Sequence, residues 1–155
     1  MAFARSIRLR PIGFVRTESN LEELKHRTAI SQLVIDRRLR KALDGIDGFS
    51  HVFVIYWMHQ TQKLDRTVLK VHPRHCLSIP EQGVFATRSC FRPNAIALTL
   101  VRLLRRTGNT LIVRGLDAYD GTPLLDLKPY DYWDRIEKIR VLAWWKKLEK
   151  ERRQG

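Results

Sequence analysis

A chain of 155 residues is long enough for one domain with its own hydrophobic core and short for two. Its 44% hydrophobic content, with four Trp, four Tyr and six Phe, excludes a disordered chain, and the apolar run VFVIYWM at 52–58 is far too short to span a bilayer. Against 16 Asp and Glu stand 29 Lys and Arg, and the net charge of +13 points to a polyanionic partner.

The opening MAFARSIRLRPIG has Arg5, Arg8 and Arg10 where a secretory signal would need unbroken apolar residues, so a cytoplasmic protein is expected. Residues 7–17, IRLRPIGFVRT, alternate like a strand that Pro11 confines to an edge or a bulge. ESNLEELKHRTA at 18–29 reads as a polar loop with one helical turn, ISQLVID at 30–36 as a strand, and RRLRKAL at 37–43 as a short helix ending near Gly45. FSHVFVIYWMH at 49–59 is β-branched, aromatic and apolar on both faces, which predicts a central strand. TVLKV at 67–71 and GVFATR at 83–88 predict further strands on either side of the loop HPRHCLSIPEQG. In 95–106, Ile96, Leu98 and Leu100 alternate before the period is lost, leaving strand and helix both open; Gly108-Asn109 ahead of TLIVRGLDA favours a hairpin and hence the strand. GLDAYDGTP at 115–123 is turn-rich and LLDLKPY at 124–130 returns to strand. From Asp131, Tyr132, Ile136, Ile139, Ala143 and Leu148 recur at helical spacing, predicting a C-terminal helix anchored by Trp144 and Trp145. The sum is a mainly β fold, a single-domain small β-barrel with a short helix and a C-terminal helix. It occupies residues 1–145, and 146–155 form a charged tail.

The positive residues comprise 20 Arg and 9 Lys, a bias toward planar, bidentate phosphate contacts and stacking on bases. Cys76 and Cys90 form no CxxC pair and read as free thiols in a reducing compartment. His72 and His75 in HPRH lack the further ligands a metal site needs, so no metal is expected. His51 reads as a hydrogen-bonded structural histidine. No GxGxxG opens a strand-to-helix turn, which argues against a Rossmann-type nucleotide site. FATRSCFRPNAIAL at 85–98 sets Arg88 and Arg92 among small residues ahead of a Pro93-Asn94 break; on spacing alone it is a surface turn.

Three segments, GIDGFSHVFVIYWMHQ at 45–60, GVFATRSCFRPNAIALTLVRLL at 83–104 and GLDAYDGTPLLDLKPY at 115–130, resemble the TrmO family, also called TsaA-like or YaeB-like. PIGFVRT at 11–17 and HPR at 72–74 fit the same pattern. The resemblance implies a small β-barrel that binds S-adenosylmethionine, forms a homodimer and methylates N6 of threonylcarbamoyl-adenosine beside the anticodon of tRNA. It implies cofactor contacts from His59, Gln60, Arg88, Leu98, Leu116, Asp117, Ala118 and Tyr119. In that reading Asp117 accepts from ribose hydroxyls or the amino end of methionine, and Arg88 pairs with its carboxylate. Arg92, Pro93, Asn94 and Tyr130 fall on the substrate side, and Asp120, held in the Asp120-Gly121-Thr122 turn, is the candidate proton acceptor. The turn alone is equally that of an ordinary loop.

Two departures stand out. Where the family often reads RPNPIG, this chain has Arg92-Pro93-Asn94-Ala95-Ile96-Ala97, and the family's PRQ-type segment before the second strand has no clear counterpart in LEELKHRTAISQ at 21–32. That second departure keeps one rival open, a non-catalytic RNA-binding barrel; a second rival is a methyltransferase with the same cofactor acting on another substrate, a small molecule, which the charge of +13 makes less attractive.

Overall fold

Period-two burial along short strands, each with one apolar face, closes into a cylinder in the computed structural model, which describes residues 6–154. Arg5, part of the argument against a signal sequence, and Gly155 lie outside the described residues. The strands are β1 (Gly13–Arg16), β2 (Ile30–Ile35), β3 (His51–Trp57), β4 (Lys70–Val71), β5 (Gln82–Gly83), β6 (Ile96–Thr107), β7 (Thr110–Arg114) and β8 (Pro123–Pro129). Six of them form a closed barrel in the order β1-β2-β7-β6-β3-β8, antiparallel throughout, with β1 pairing β8 at the seam. β4 and β5 make a separate two-stranded ribbon.

The interior is filled by alternate residues: Val15, Leu33, Ile35, Val52, Val54, Tyr56, Val101, Leu103, Leu111, Val113 and Leu124. Each buried Val or Leu contributes about 1.5–3 kcal/mol relative to exposure. The predicted central strand is β3, flanked by β6 and β8. Its outer face is partly covered as well: Phe53 meets the Tyr130 ring edge-on at 5.8 Å, and the Arg66 guanidinium lies 5.0 Å from the Trp57 ring centroid. Gly13 sits at the seam, opposite both Ile35 and Leu124, where a Cβ would run into the Val34 carbonyl oxygen.

The 95–106 segment is a strand, paired along both edges with β3 and β7. Residues 37–43 form a 3-10 helix whose carbonyls at Arg40 and Leu43 accept from Arg106 of β6. Several boundaries differ from the sequence reading. The first strand begins only at Gly13, because Pro11 has no N–H to donate to a ladder. The 67–71 strand shrinks to Lys70–Val71. Of the segment read as a strand at 83–88 only Gly83, the end of β5, is strand; the rest is a 3-10 turn over Val84–Ala86 followed by a loop, curled because the Arg92 guanidinium gathers the carbonyls of Val84, Thr87 and Ser89.

The C-terminal helix also starts late. Asp131 caps a single 3-10 turn at Tyr132–Asp134, and helix α2 runs Ala143–Gln154. Residues 146–154, nearly all of the segment read as a charged tail at 146–155, continue that helix. It is held down by buried Leu148, whose carbonyl accepts from Arg74 Nη1 at 3.2 Å. The helical turn expected within 18–29 is helix α1, Leu21–His26, closed at its start by a reciprocal capping box between Asn20 and Glu23. Its C-cap, Arg27, lines the cavity described below.

Candidate functional site

Three chain segments meet at one end of the barrel: the end of β3 continuing through Met58, His59 and Gln60, the start of β6, and the loop that leaves β7. They enclose a cavity of about 650 Å³, within the size range of small-molecule sites. The loop from residue 84 to 92 forms a further wall.

The centre of the site is a carboxylate. Asp117 Oδ1 accepts from Thr99 Oγ1 at 2.5 Å and from the Tyr56 hydroxyl at 2.9 Å, and its Oδ2 faces Arg27 Nη2 at 3.4 Å. Thr99 and Tyr56 are the inward-facing residues where β6 and β3 open to the cavity, so the barrel's own alternation aims both hydroxyls at Asp117. Burial, and next the negative charge of Asp117, push the Tyr56 phenol well above its ordinary value of 10.0. It therefore stays a proton donor at neutral pH, and Asp117 turns its other oxygen to the Arg27 guanidinium.

Arg27 arrives there through local chain chemistry. The capping box fixes the start of α1, and the helix ends one turn and a half later with Arg27 as its C-cap in the left-handed region, φ 57°. Gly115, φ 94°, passes directly alongside: its N–H donates to the Ala29 carbonyl at 3.0 Å, and a Cβ there would lie 3.4 Å from the Arg27 carbonyl oxygen. The loop carrying Asp117 is thus docked against the end of α1 by the fold itself.

On the opposite wall Arg92 lines the cavity but spends Nη1 on three carbonyls of its own loop, and its guanidinium stacks 5.9 Å from the Phe85 ring centroid. The neighbouring Arg88 also lines the cavity, is exposed, and has no hydrogen bond or ion pair among the described residues. His59 Nδ1 lies 3.3 Å from Thr122 Oγ1, which ties the end of β3 to the loop ahead of β8.

Of the residues singled out from the sequence, His59, Gln60, Arg88, Arg92, Leu98, Asp117, Ala118 and Tyr119 line one cavity. Leu116 lies behind it, fully buried in the barrel core. Pro93 and Asn94 are exposed in the turn entering β6, outside the lining. Asp120 is also outside it: its Oδ1 accepts from the Thr17 N–H at 2.9 Å, so the carboxylate clamps the loop to the end of β1. Tyr130 follows β8 at the other end of the barrel, beside His51 and Phe53. Arg27, Tyr56 and Thr99 escaped the sequence reading. Asn20 and Glu23, three apart, were the available sign that an ordered helix ends at Arg27; nothing in the pattern told Tyr56 or Thr99 from ordinary barrel filling. Among the described residues no cluster of His, Cys, Asp and Glu could hold a metal, and no helix is long and apolar enough to cross a membrane.

Comparison with known proteins adds independent findings. Residues 20–135 match the family model described as the tRNA-methyltransferase O N-terminal domain. A probable S-adenosyl-L-methionine-binding protein of Methanothermobacter thermautotrophicus is 43% identical over 129 residues, 80% of this chain and 90% of that protein. A mouse tRNA (adenine(37)-N6)-methyltransferase is 43% identical over 89 residues, 57% of this chain but 20% of its own length. The crystal structure of TrmO from Pseudomonas aeruginosa superposes with a TM-score of 0.69 at 30% identity, covering 89% of this chain and 62% of that one. The chain thus spans less than two thirds of the solved structures it matches. With the family model matching over most of its length, and the same closed barrel found in the solved relatives, the chain belongs to the TrmO family.

Proposed function

We propose that the chain binds S-adenosylmethionine in the barrel-end cavity and transfers its methyl group to N6 of threonylcarbamoyl-adenosine beside the anticodon of tRNA. The observation that carries this reading is the pairing, in one cavity, of an oriented Asp117 carboxylate with the unpartnered Arg88 guanidinium across apolar walls that include Met58, Leu98 and Ala118. Such a donor set fits a ligand that has an ammonium, a carboxylate, ribose hydroxyls and an apolar thioether stem. The relatives named for S-adenosylmethionine binding, and the mouse protein named for adenine-N6 methylation of tRNA, support the same chemistry.

S-adenosylmethionine supplies an electrophilic methyl on a sulfonium, and displacement in line with the sulfur leaves the protein mainly a task of placement. Asp117 accepts from ribose hydroxyls or the ammonium group, Arg88 holds the carboxylate, and the backbone from 116 to 119 reads the adenine edge. Arg92 keeps the loop under Arg88 curled. Asp120 is a positioning residue in this scheme, fixing Tyr119 and Thr122 through its bond to Thr17. His59, Gln60 and Arg88 are exposed, so the proton leaving N6 has a path to water.

The charge of +13 suits a tRNA substrate, and such an activity belongs in the cytoplasm with its substrate. A homodimer is part of the proposal. Between the barrel and α2, Tyr132 and Trp133 are 93% and 95% exposed, followed by exposed Ile136, Ile139 and Leu142, apolar side chains that a partner subunit would cover.

Calorimetry with S-adenosylmethionine, without added metal, tests the reading. Binding is expected for the wild type, with Arg88→Ala weaker by about 1.5–3 kcal/mol, the scale of a charge-assisted hydrogen bond. No binding by the wild type favours the non-catalytic barrel, and an unchanged affinity in the variant removes Arg88 from the site. Mass spectrometry of tRNA nucleosides from a deletion strain then tests the target base, and light scattering the dimer.

A further inference from the structure

Strands β1, β2, β7 and β6 lie side by side as one wall of the barrel, and none of the four contains an Asp or Glu. On the outer face of that wall stand Arg16, Arg102, Arg105 and Arg114, all exposed. Their register is regular. One cross-strand row runs Arg16–Gln32–Ile112–Arg105, and the next runs Ile30–Arg114–Arg102–His51.

Arg102 and Arg114 are directly opposite each other, an arrangement of like charges that destabilises a strand pair by itself. Neither their guanidinium groups nor those of Arg16 and Arg105 have a hydrogen bond or ion pair among the described residues. Arg106, in the same strand, shows the contrast: it donates to the Leu43 carbonyl at 2.9 Å and pairs with Asp44 at 3.2 Å. The wall therefore separates one arginine satisfied within the fold from four that are left facing solvent.

The wall also leads to the site. Arg114 ends β7, and the next residues carry the chain to Asp117 and Tyr119 in the cavity lining; Arg16 ends β1, next to Thr17, whose N–H is held by Asp120. In the other direction the second row continues from His51 to the Tyr130 ring, 6.3 Å away between centroids, an aromatic face at the margin of a basic surface.

We propose that this wall is the track for the phosphate backbone of the tRNA, with Arg16, Arg102, Arg105 and Arg114 contacting phosphates while the target nucleotide reaches over the Arg114–Asp117 edge into the cavity. The inference rests on the tRNA reading above and deepens it. An acid-free surface with opposed, unpaired guanidinium groups is complementary to a polyanion and repels a second copy of itself. Arginine supplies the bidentate contacts that hold successive phosphates without reading sequence.

The test is the double variant Arg102→Ala/Arg114→Ala, titrated with full-length tRNA over a range of salt concentrations. The dissociation constant is expected to rise about tenfold or more, and the slope of log affinity against log salt to become shallower by roughly 1.4–1.8, the loss of two phosphate contacts. KM for tRNA rises while kcat and the affinity for S-adenosylmethionine stay as in the wild type. Arg102→Lys/Arg114→Lys keeps the wild-type slope. The melting temperature of the alanine variant is not lowered, since a repulsive pair has been removed. A folded alanine variant with unchanged tRNA affinity and salt slope overturns the proposal, as does a change in molar mass by light scattering with no change in slope, which makes the wall a protein contact. A wild type that binds tRNA with this salt dependence but neither binds S-adenosylmethionine nor methylates would overturn the functional reading and leave the track standing.

Discussion

Tyr56→Phe removes one oxygen atom from the centre of the site and almost nothing else. The ring is 5% exposed and packed in the barrel core, and phenylalanine fills the same volume, so transfer and cavity effects nearly cancel. What is lost is the hydroxyl that donates to Asp117 at 2.9 Å and sits 3.3 Å from Thr99. A hydrogen bond to a charged group contributes about 1.5–3 kcal/mol. Asp117 is 35% exposed at its side chain and keeps Thr99, so water compensates in part and about 1–2 kcal/mol is expected. At roughly 2–4 °C per kcal/mol for a chain of this size, the melting temperature should fall by about 2–8 °C. Affinity for S-adenosylmethionine should fall by about three- to tenfold, because Asp117 loses one of the two hydroxyls that orient it. The pH dependence gives a second signature. The folded phenol is held above its ordinary value of 10.0 by burial and by Asp117, so the unfolded chain ionises first. Its contribution to stability is complete below about pH 10 and is lost as pH rises further, a fall that the phenylalanine variant lacks. Equal melting temperature, equal cofactor affinity and parallel alkaline limbs in the two proteins would refute the role assigned to this hydroxyl.

Three further perturbations probe the Asp120 loop, the barrel seam and the cap of the 3-10 helix at 37–43. Asp120→Asn keeps an oxygen for the Thr17 N–H and should retain most turnover, whereas Asp120→Ala should lose both turnover and cofactor affinity; if Asn alone lowers turnover by roughly 100-fold with binding intact, the carboxylate acts in proton transfer rather than in holding the loop. Gly13→Ala forces a methyl against the Val34 carbonyl at the barrel seam and should cost about 3 kcal/mol in urea unfolding, so a cost under 1 kcal/mol would mean that β1 moves freely relative to β2. Asp36 is held at about 2, below its ordinary 3.8, by the Arg38 side chain and then its backbone N–H; the stability it adds is present above pH 4 and lost as pH falls through 2. Acid unfolding of Asp36→Asn should therefore differ from the wild type at pH 5 and converge with it as pH falls below 2, and a constant difference would point elsewhere.

The barrel was legible in the sequence wherever burial is periodic. β2, β3, β6, β7 and β8 emerge from alternation, β-branching and turn signals, because an inward-facing residue every second position is a demand that neighbouring residues themselves record. The 84–88 segment and residues 131–142 were misread for a related reason: their apolar residues satisfy a strand or helix period, while Arg92 curls the first and the Asp131 cap closes the second after one turn. Motif resemblance marked His59, Gln60, Arg88 and the 117–119 run, and these do share one cavity. Arg27 and Tyr56 could not be found in this way. Arg27 belongs to the site because a capped helix ends there and Gly115 passes close to it, and Tyr56 because β3 and β6 aim its hydroxyl and that of Thr99 at a carboxylate 61 residues further along the chain. Local spacing carries no information about such pairs, since the contact exists only once the barrel has closed and brought the loop after β7 over the ends of β3 and β6.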